Sequence, residues 1–209
     1  MVRGVLGGTF NPVHLGHLRI AEAARRKLNL TEVLFVPAGE PWMKDGEELA
    51  PSEDRWEMVG LATAADPAFV PSRVDLDRPG PSYTIDTLRD LKREESGSCT
   101  DYFIMGMDTL LTVPGWKEPQ AMLEICRLAV VTRPEHEMGE AAEAAASKLP
   151  GLMARTVFIE GVHVDISSTD IRLRVREGLP VTGLVPQPVE AYMKQHRLYQ
   201  TTPVKKGKA

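Results

Sequence analysis

Short apolar runs alternate with segments of helical length through most of the chain, and this alternation constrains the fold more than any other feature. "RGVLGG" and "EVLFVPAG" are apolar runs ending in glycine, and between them "HLGHLRIAEAARRKLNL" sets Leu18, Ala21 and Leu28 near a helical period. "SEDRWEMVGLATAAD" reads as a helix with Ser52 as its N-cap candidate and an acidic first turn. "FVPSRVDL" reads as extended chain, and "TIDTLRDLKREE" as a helix with Ile85, Leu88 and Leu91 on one face. Further on, "DYFIMG", "RLAVVTR" and "RTVFIEG" read as strands, while "PQAMLEI", "GEAAEAAASKL", "STDIRLRVREG" and "PVEAYMKQHRLY" read as helices. Strands separated by helices imply an α/β fold: a doubly wound, mostly parallel sheet covered on both faces, with right-handed crossovers and a small C-terminal helical part. Ligands in such sheets sit outside the carboxyl ends of the strands where the strand order reverses. The loops after "GVLGG", "LFVPA", "FIMG" and "VVTR" are therefore the places to look.

The 209 residues suit one domain, which we place at 1–200, and the basic tail "TTPVKKGKA" (201–209) has no apolar pattern and reads as disordered. A net charge of -4 disfavours nucleic acid as a partner, and no apolar run approaches the ~20 residues a membrane span needs. The first residues lack the basic and apolar regions of a signal peptide, so a cytoplasmic location is expected. The two cysteines, Cys99 and Cys126, support neither a disulfide framework nor a zinc site.

In "GVLGGTFNPVHLGH", Gly7 and Gly8 follow the first strand, where glycine lets the backbone approach a ligand closely. A helix begins at once, and its N-terminal amides and dipole favour an anion, phosphate above all. The spacing matches neither the dinucleotide fingerprint nor the phosphate loop that ends in Lys-Ser/Thr. His14 and His17, three apart at the helix start, share a face and can aim at the same guest. As metal ligands they lack a nearby third partner, so no protein metal site is expected. As donors they can stabilise charge on a phosphoryl group, and as ordinary helix-start residues they could simply cap or pack. "SST" before a later helix reads from the residues alone as an N-cap.

"GGTFNPVHLGH" resembles the signature of the nucleotidyltransferase superfamily with a His-x-Gly-His element. "RPGPSYTIDTL", "FIMGMDTLLTVPGW" and "DISSTDIRLRVREGLPVTGLVPQPVEAYMKQHRLY" are similar, in that order, to segments of bacterial nicotinate-mononucleotide adenylyltransferases, and together they span nearly the whole chain. The resemblance implies a Rossmann-like nucleotidyltransferase fold and transfer of the adenylyl group of ATP to nicotinate mononucleotide, releasing pyrophosphate. It further implies a phosphate-binding pair in His14 and His17 over a loop of Gly8, Thr9 and Phe10, and a triphosphate-reaching lysine in Lys44. "ISSTDIR" would form a second phosphate element through Ile166, Ser168, Thr169 and Arg172. Gly106 and Asp108 would lie by the nucleotide, Trp116 would stack on the pyridine ring, and the helix start at Tyr83 and Thr84 would favour a carboxylate over an amide. Catalytic weight would fall on His14, His17, Lys44 and Arg172, with Mg²⁺ carried in on the ATP phosphates.

The pattern departs from the family at Asn11, where many relatives have Asp, at "PWMK", which replaces Pro-His-Lys, and at "TRPE", which lacks a glycine after Arg133 and Pro134. Oligomeric state is left open. Two alternatives stand beside the main reading: an adenylyltransferase using nicotinamide mononucleotide or phosphopantetheine, and a nucleotide-binding regulator without activity.

Overall fold

The computed structural model of the chain describes residues 1–42, 49–94, 100–132, 140–161 and 165–200. Lys44, Cys99, Arg133 and the tail 201–209 lie outside the described residues. Six strands form one sheet: β1 (Val2–Gly8), β2 (Glu32–Pro37), β3 (Phe69–Pro71), β4 (Thr100–Gly106), β5 (Arg127–Val131) and β6 (Thr156–Ile159). All are parallel, in the order β3-β2-β1-β4-β5-β6. The helices are α1 (Leu15–Leu28), α2 (Ser52–Thr63), α3 (Thr84–Glu94), α4 (Met107–Leu110), α5 (Pro119–Ile125), α6 (Glu140–Lys148), α7 (Ser168–Arg176) and α8 (Gln187–Gln195).

Because side chains alternate across a strand, neighbouring residues feed opposite cores. Leu6, Phe35, Ile104 and Val131 pack with Ala21, Met58, Ile171 and Val189 of α1, α2, α7 and α8. Their immediate predecessors Val5, Leu34, Phe103 and Val130 pack with Leu88, Leu123 and Ala145 of α3, α5 and α6. Strands buried on both faces read as continuous apolar runs, which is what the sequence carries.

Two local expectations change. The N-cap of α2 is Pro51, with Ser52 already the first helical residue, because the extended backbone at Pro51 turns the chain into the helix one residue early. "FVPSRVDL" is extended only over Phe69–Pro71. The N–H groups of Leu76 and Asp77 then bond back to Arg73 O at 2.8 and 2.9 Å, which makes a turn of the remainder.

Long-range contacts tie the loops around the carboxyl ends of the strands. Tyr199 Oη donates to Asn11 Oδ1 at 2.8 Å, and Ala50 N donates to the same oxygen at 3.0 Å. Tyr192 of α8 donates to Asp54 of α2 at 2.8 Å, and Leu15 N reaches Leu184 O at 2.9 Å. Gly39, just past β2, lies so close to the neighbouring segment that a Cβ there would come within 2.5 Å of Asp75 O. That contact is with backbone, which cannot rotate away. Gly39→Ala is expected to lower the unfolding free energy by about 2 kcal/mol. Urea denaturation checks this, and a loss below about 0.5 kcal/mol would contradict the close approach.

Candidate active site

β1 and β4 lie side by side, yet their onward connections go to opposite flanks of the sheet, so a cleft opens where the two strands end. It has a volume of about 710 Å³. Gly8 and Gly106, the last residues of β1 and β4, both line it, as do Thr9 and Phe10. Phe10 holds a φ of 48°, the left-handed region that costs an L-residue about 1–2 kcal/mol.

His14 and His17 also line the cleft. His14 is the N-cap of α1, and its backbone N–H donates to His17 Nδ1 at 3.2 Å. A neutral imidazole that accepts at Nδ1 carries its proton on Nε2, so the contact makes His17 Nε2 a donor. The two rings stack with centroids 3.7 Å apart, and the Phe10 ring meets His17 edge-on at 4.9 Å. His14 is 6% exposed, and its Nδ1 is buried without a partner among the described residues. Burial lowers the pKa of His14 to about 4, and burial together with the neighbouring His14 holds His17 well below its ordinary value. Both rings are thus neutral at neutral pH in the unliganded protein. The N–H groups of Leu15 and His17 are already bonded to Leu184 O and His14 O. Part of the α1 terminus is therefore committed to the protein, and the imidazoles are the more available donors.

The start of α7 adjoins the histidine loop. Ser167 caps it by accepting from Asp170 N at 3.1 Å. Ser168 Oγ donates to Pro12 O at 2.9 Å, so this hydroxyl already holds the histidine loop. Arg172 Nη1 donates to Asn11 O at 2.9 Å, and Arg172 Nη2 to Thr169 Oγ1 at 3.3 Å. The N–H groups of Ser168 and Thr169 meet no acceptor among the described residues. Ile166, Ser168, Thr169 and Arg172 all face the cleft.

At the other end stand Thr84, Asp108 and Trp116. Trp116 packs edge-on against Phe103 at 5.9 Å, and its indole N–H donates to Thr112 Oγ1 at 3.0 Å, which fixes the ring. Asp108 is exposed in the first turn of α4, whose N-cap is Gly106 rather than the aspartate. Thr84 opens α3, and the N–H groups of Thr84 and Ile85 meet no acceptor among the described residues. Tyr83 is not among the lining residues, and its ring lies 5.5 Å from Trp42 and under the Lys117 ammonium. The structure thus gathers every described candidate except Tyr83 at the cleft.

The sequence reading missed Trp42, Asp75, Ser82 and Thr87, which also line the cleft. Asp75 accepts from Thr87 Oγ1 at 2.6 Å and Arg78 Nη2 at 2.7 Å, and burial, the largest influence, raises its pKa. Trp42, Ser82 and Thr87 stood inside quoted motifs, "PWMK" and "RPGPSYTIDTL", whereas Asp75 lay in "FVPSRVDL", which read only as extended chain.

The histidine shifts have a pH consequence. An unfolded chain protonates His14 as pH falls through about 6.5, but the folded protein resists until about 4. Stability is therefore fully present above about pH 6.5 and is lost as pH falls toward about 4. For His14 the loss between about pH 7 and pH 5 is about 2 kcal/mol. Chemical denaturation should show a shallower pH slope in His14→Gln by that amount. Equal slopes in variant and parent would contradict the buried neutral ring.

Residues 5–174 match the model of the family described as cytidylyltransferase-like. A relative from Roseiflexus sp., named probable nicotinate-nucleotide adenylyltransferase, is 45% identical over 94% of this chain and 97% of its own. One of the same name from Acidothermus cellulolyticus is 42% identical over 95% of this chain and 94% of its own. Among solved structures, the nicotinic acid mononucleotide adenylyltransferase of Plasmodium falciparum complexed with NaAD has a TM-score of 0.76 at 16% identity. That match covers 95% of this chain and 97% of the other, and it shows the shared fold. The chain belongs to the cytidylyltransferase-like family and, within it, to the nicotinate-nucleotide adenylyltransferases.

Proposed function

We propose that this protein transfers the adenylyl group of ATP to nicotinate mononucleotide, giving nicotinate adenine dinucleotide and pyrophosphate. The observation that carries this reading is the two-ended cleft. One end gathers the donors of His14, His17, the α7 start and Arg172, while the other has a flat aromatic, Trp116, and the α3 start, whose first N–H groups meet no acceptor among the described residues. The first end suits phosphates, and the second suits a flat ring bearing a carboxylate. The names of the relatives agree with it.

The mononucleotide's 5′-phosphate is itself a nucleophile and attacks the α-phosphorus of ATP in line, with pyrophosphate leaving. No enzyme nucleophile is required, and catalysis is positioning and charge stabilisation. His17 Nε2–H, and the His14 ring stacked on it, donate to the oxygens on which charge builds. Arg172 and the Ser168 and Thr169 amides hold the phosphates from beside the histidine loop. Lys44, outside the described residues, is proposed to reach the triphosphate. Mg²⁺ carried in on ATP would supply neutralisation of phosphate charge. The cleft carboxylates fit that arrangement, since Asp75 is committed to Thr87 and Arg78, and Asp108 is exposed and free to meet ribose hydroxyls.

With ATP and Mg²⁺, pyrophosphate release should be at least about tenfold faster with nicotinate mononucleotide than with the nicotinamide form, about 1.4 kcal/mol of discrimination. It should be absent with phosphopantetheine. No release with the nicotinate form would overturn the proposal, and ATP binding without turnover would favour a regulator. His17→Ala should lower kcat about 100-fold or more in a folded protein. Trp116→Ala should mainly raise the mononucleotide KM, by about tenfold. Steady-state kinetics on both variants checks the division of roles.

A further inference from the structure

Arg55 is 2% exposed, and it lies on the buried stripe of α2 with Met58, Val59 and Ala62. It has no carboxylate partner among the described residues. Its guanidinium donates instead to four backbone carbonyls. Nε reaches Ala50 O at 3.2 Å, Nη1 reaches Thr9 O at 2.9 Å and Ala38 O at 2.6 Å, and Nη2 reaches Gly39 O at 3.2 Å. These oxygens belong to three segments: the loop after β1, the loop after β2, and the entry to α2. A flat guanidinium with five N–H donors in a fixed fork can serve such a set, whereas a lysine ammonium with three donors cannot. Burying a cation without a counter-charge is costly, and an apolar side chain would fill the space without that cost. The contribution of Arg55 therefore lies in where it holds the carbonyls.

Two of these peptide units form the cleft. In a trans peptide the N–H points away from the C=O, so tethering Thr9 O turns the Phe10 N–H away from Arg55. Tethering Ala38 O likewise directs the Gly39 N–H, which donates to Ser82 Oγ at 2.9 Å. Thr9, Phe10, Ala38 and Ser82 all line the cleft. Phe10 sits at a φ of 48°, a conformation that an untethered loop would relax from.

We infer that Arg55 is a positioning residue for adenylyl transfer: it touches no substrate, it orients the Thr9–Phe10 peptide at the phosphate end of the cleft, and it holds the Ala38–Gly39 peptide, bonded to Ser82, in register with that loop. This rests on the function proposed above.

The test compares the parent with Arg55→Lys, which keeps the charge without the fork, and Arg55→Met, which keeps the bulk without the charge. Arg55→Met removes the cost of burying a cation but leaves four carbonyls without their donor, so it should fold with a lowered melting temperature, and rates are compared below that temperature per folded protein. Both variants should lose about 100-fold in kcat per folded protein, a larger change than in the KM for ATP. The inference is overturned if Arg55→Lys keeps kcat within about threefold of the parent, since charge alone would then suffice. It is equally overturned if the loss vanishes once rates are scaled to the folded fraction, because the role would be structural only. Titration with α,β-methylene-ATP runs alongside and needs no acceptor. Affinity about tenfold weaker in Arg55→Met than in the parent supports the inference even if the parent adenylylates no mononucleotide, and equal affinities overturn it. Failure of the parent to release pyrophosphate is thus distinguishable from failure of the Arg55 inference.

Discussion

The site depends on the parallel pairing of β1 with β4, because that is where the strand order turns from one flank of the sheet to the other. The chain leaving β1 runs toward α1 and β2, and the chain leaving β4 runs toward α4 and β5. The two connections diverge from neighbouring strands, which is the geometric reason that a cleft opens between their carboxyl ends. Glycine ends both strands, at Gly8 and Gly106, and the starts of α1, α3 and α7 all come to the same opening.

What fills the cleft wall is unusual in charge more than in shape. Its histidines are neutral because burial opposes their protonation, and a buried cation, Arg55, faces backbone carbonyls behind the cleft loops. Few acids compete for the donors at the phosphate end. A guest that brings its own negative charge finds hydrogen bonds already oriented, and in a partly desolvated cleft such bonds count for more than in water. The loops that carry them are cross-braced from afar: Tyr199 holds Asn11, Ser168 holds Pro12, and Arg172 holds Asn11 O. The C-terminal helices are thus part of the machinery that shapes the N-terminal loop.

The legible part of this arrangement was local. Alternating apolar runs and amphipathic segments revealed the parallel α/β architecture, because strands buried on both faces have a distinctive composition. Glycines after β1 and two histidines at a helix start pointed to an anion site for equally local reasons. The braces were not readable, since Tyr199 and Asn11 are 188 positions apart and nothing in either neighbourhood names the other. Arg55 left a faint trace: it occupies an apolar-stripe position, three and four residues before Met58 and Val59, where a charge has no business unless it is bonded inside. Tyr83 stands apart from the other candidates by one residue's worth of helix geometry. It precedes α3, so its ring turns toward Trp42 and Lys117 while Thr84 faces the cleft. The family resemblance supplied the acceptor end, which spacing alone could not.

The central claim is a single displacement at the α-phosphorus of ATP, carried out by a site that positions two phosphates and forms no bond to either. The most direct test is the stereochemical course with ATP made chiral at the α-phosphorus by sulfur substitution and nicotinate mononucleotide as acceptor. One in-line attack predicts inversion of configuration in the dinucleotide product. Retention would mean two displacements through an adenylylated enzyme, and would contradict the account.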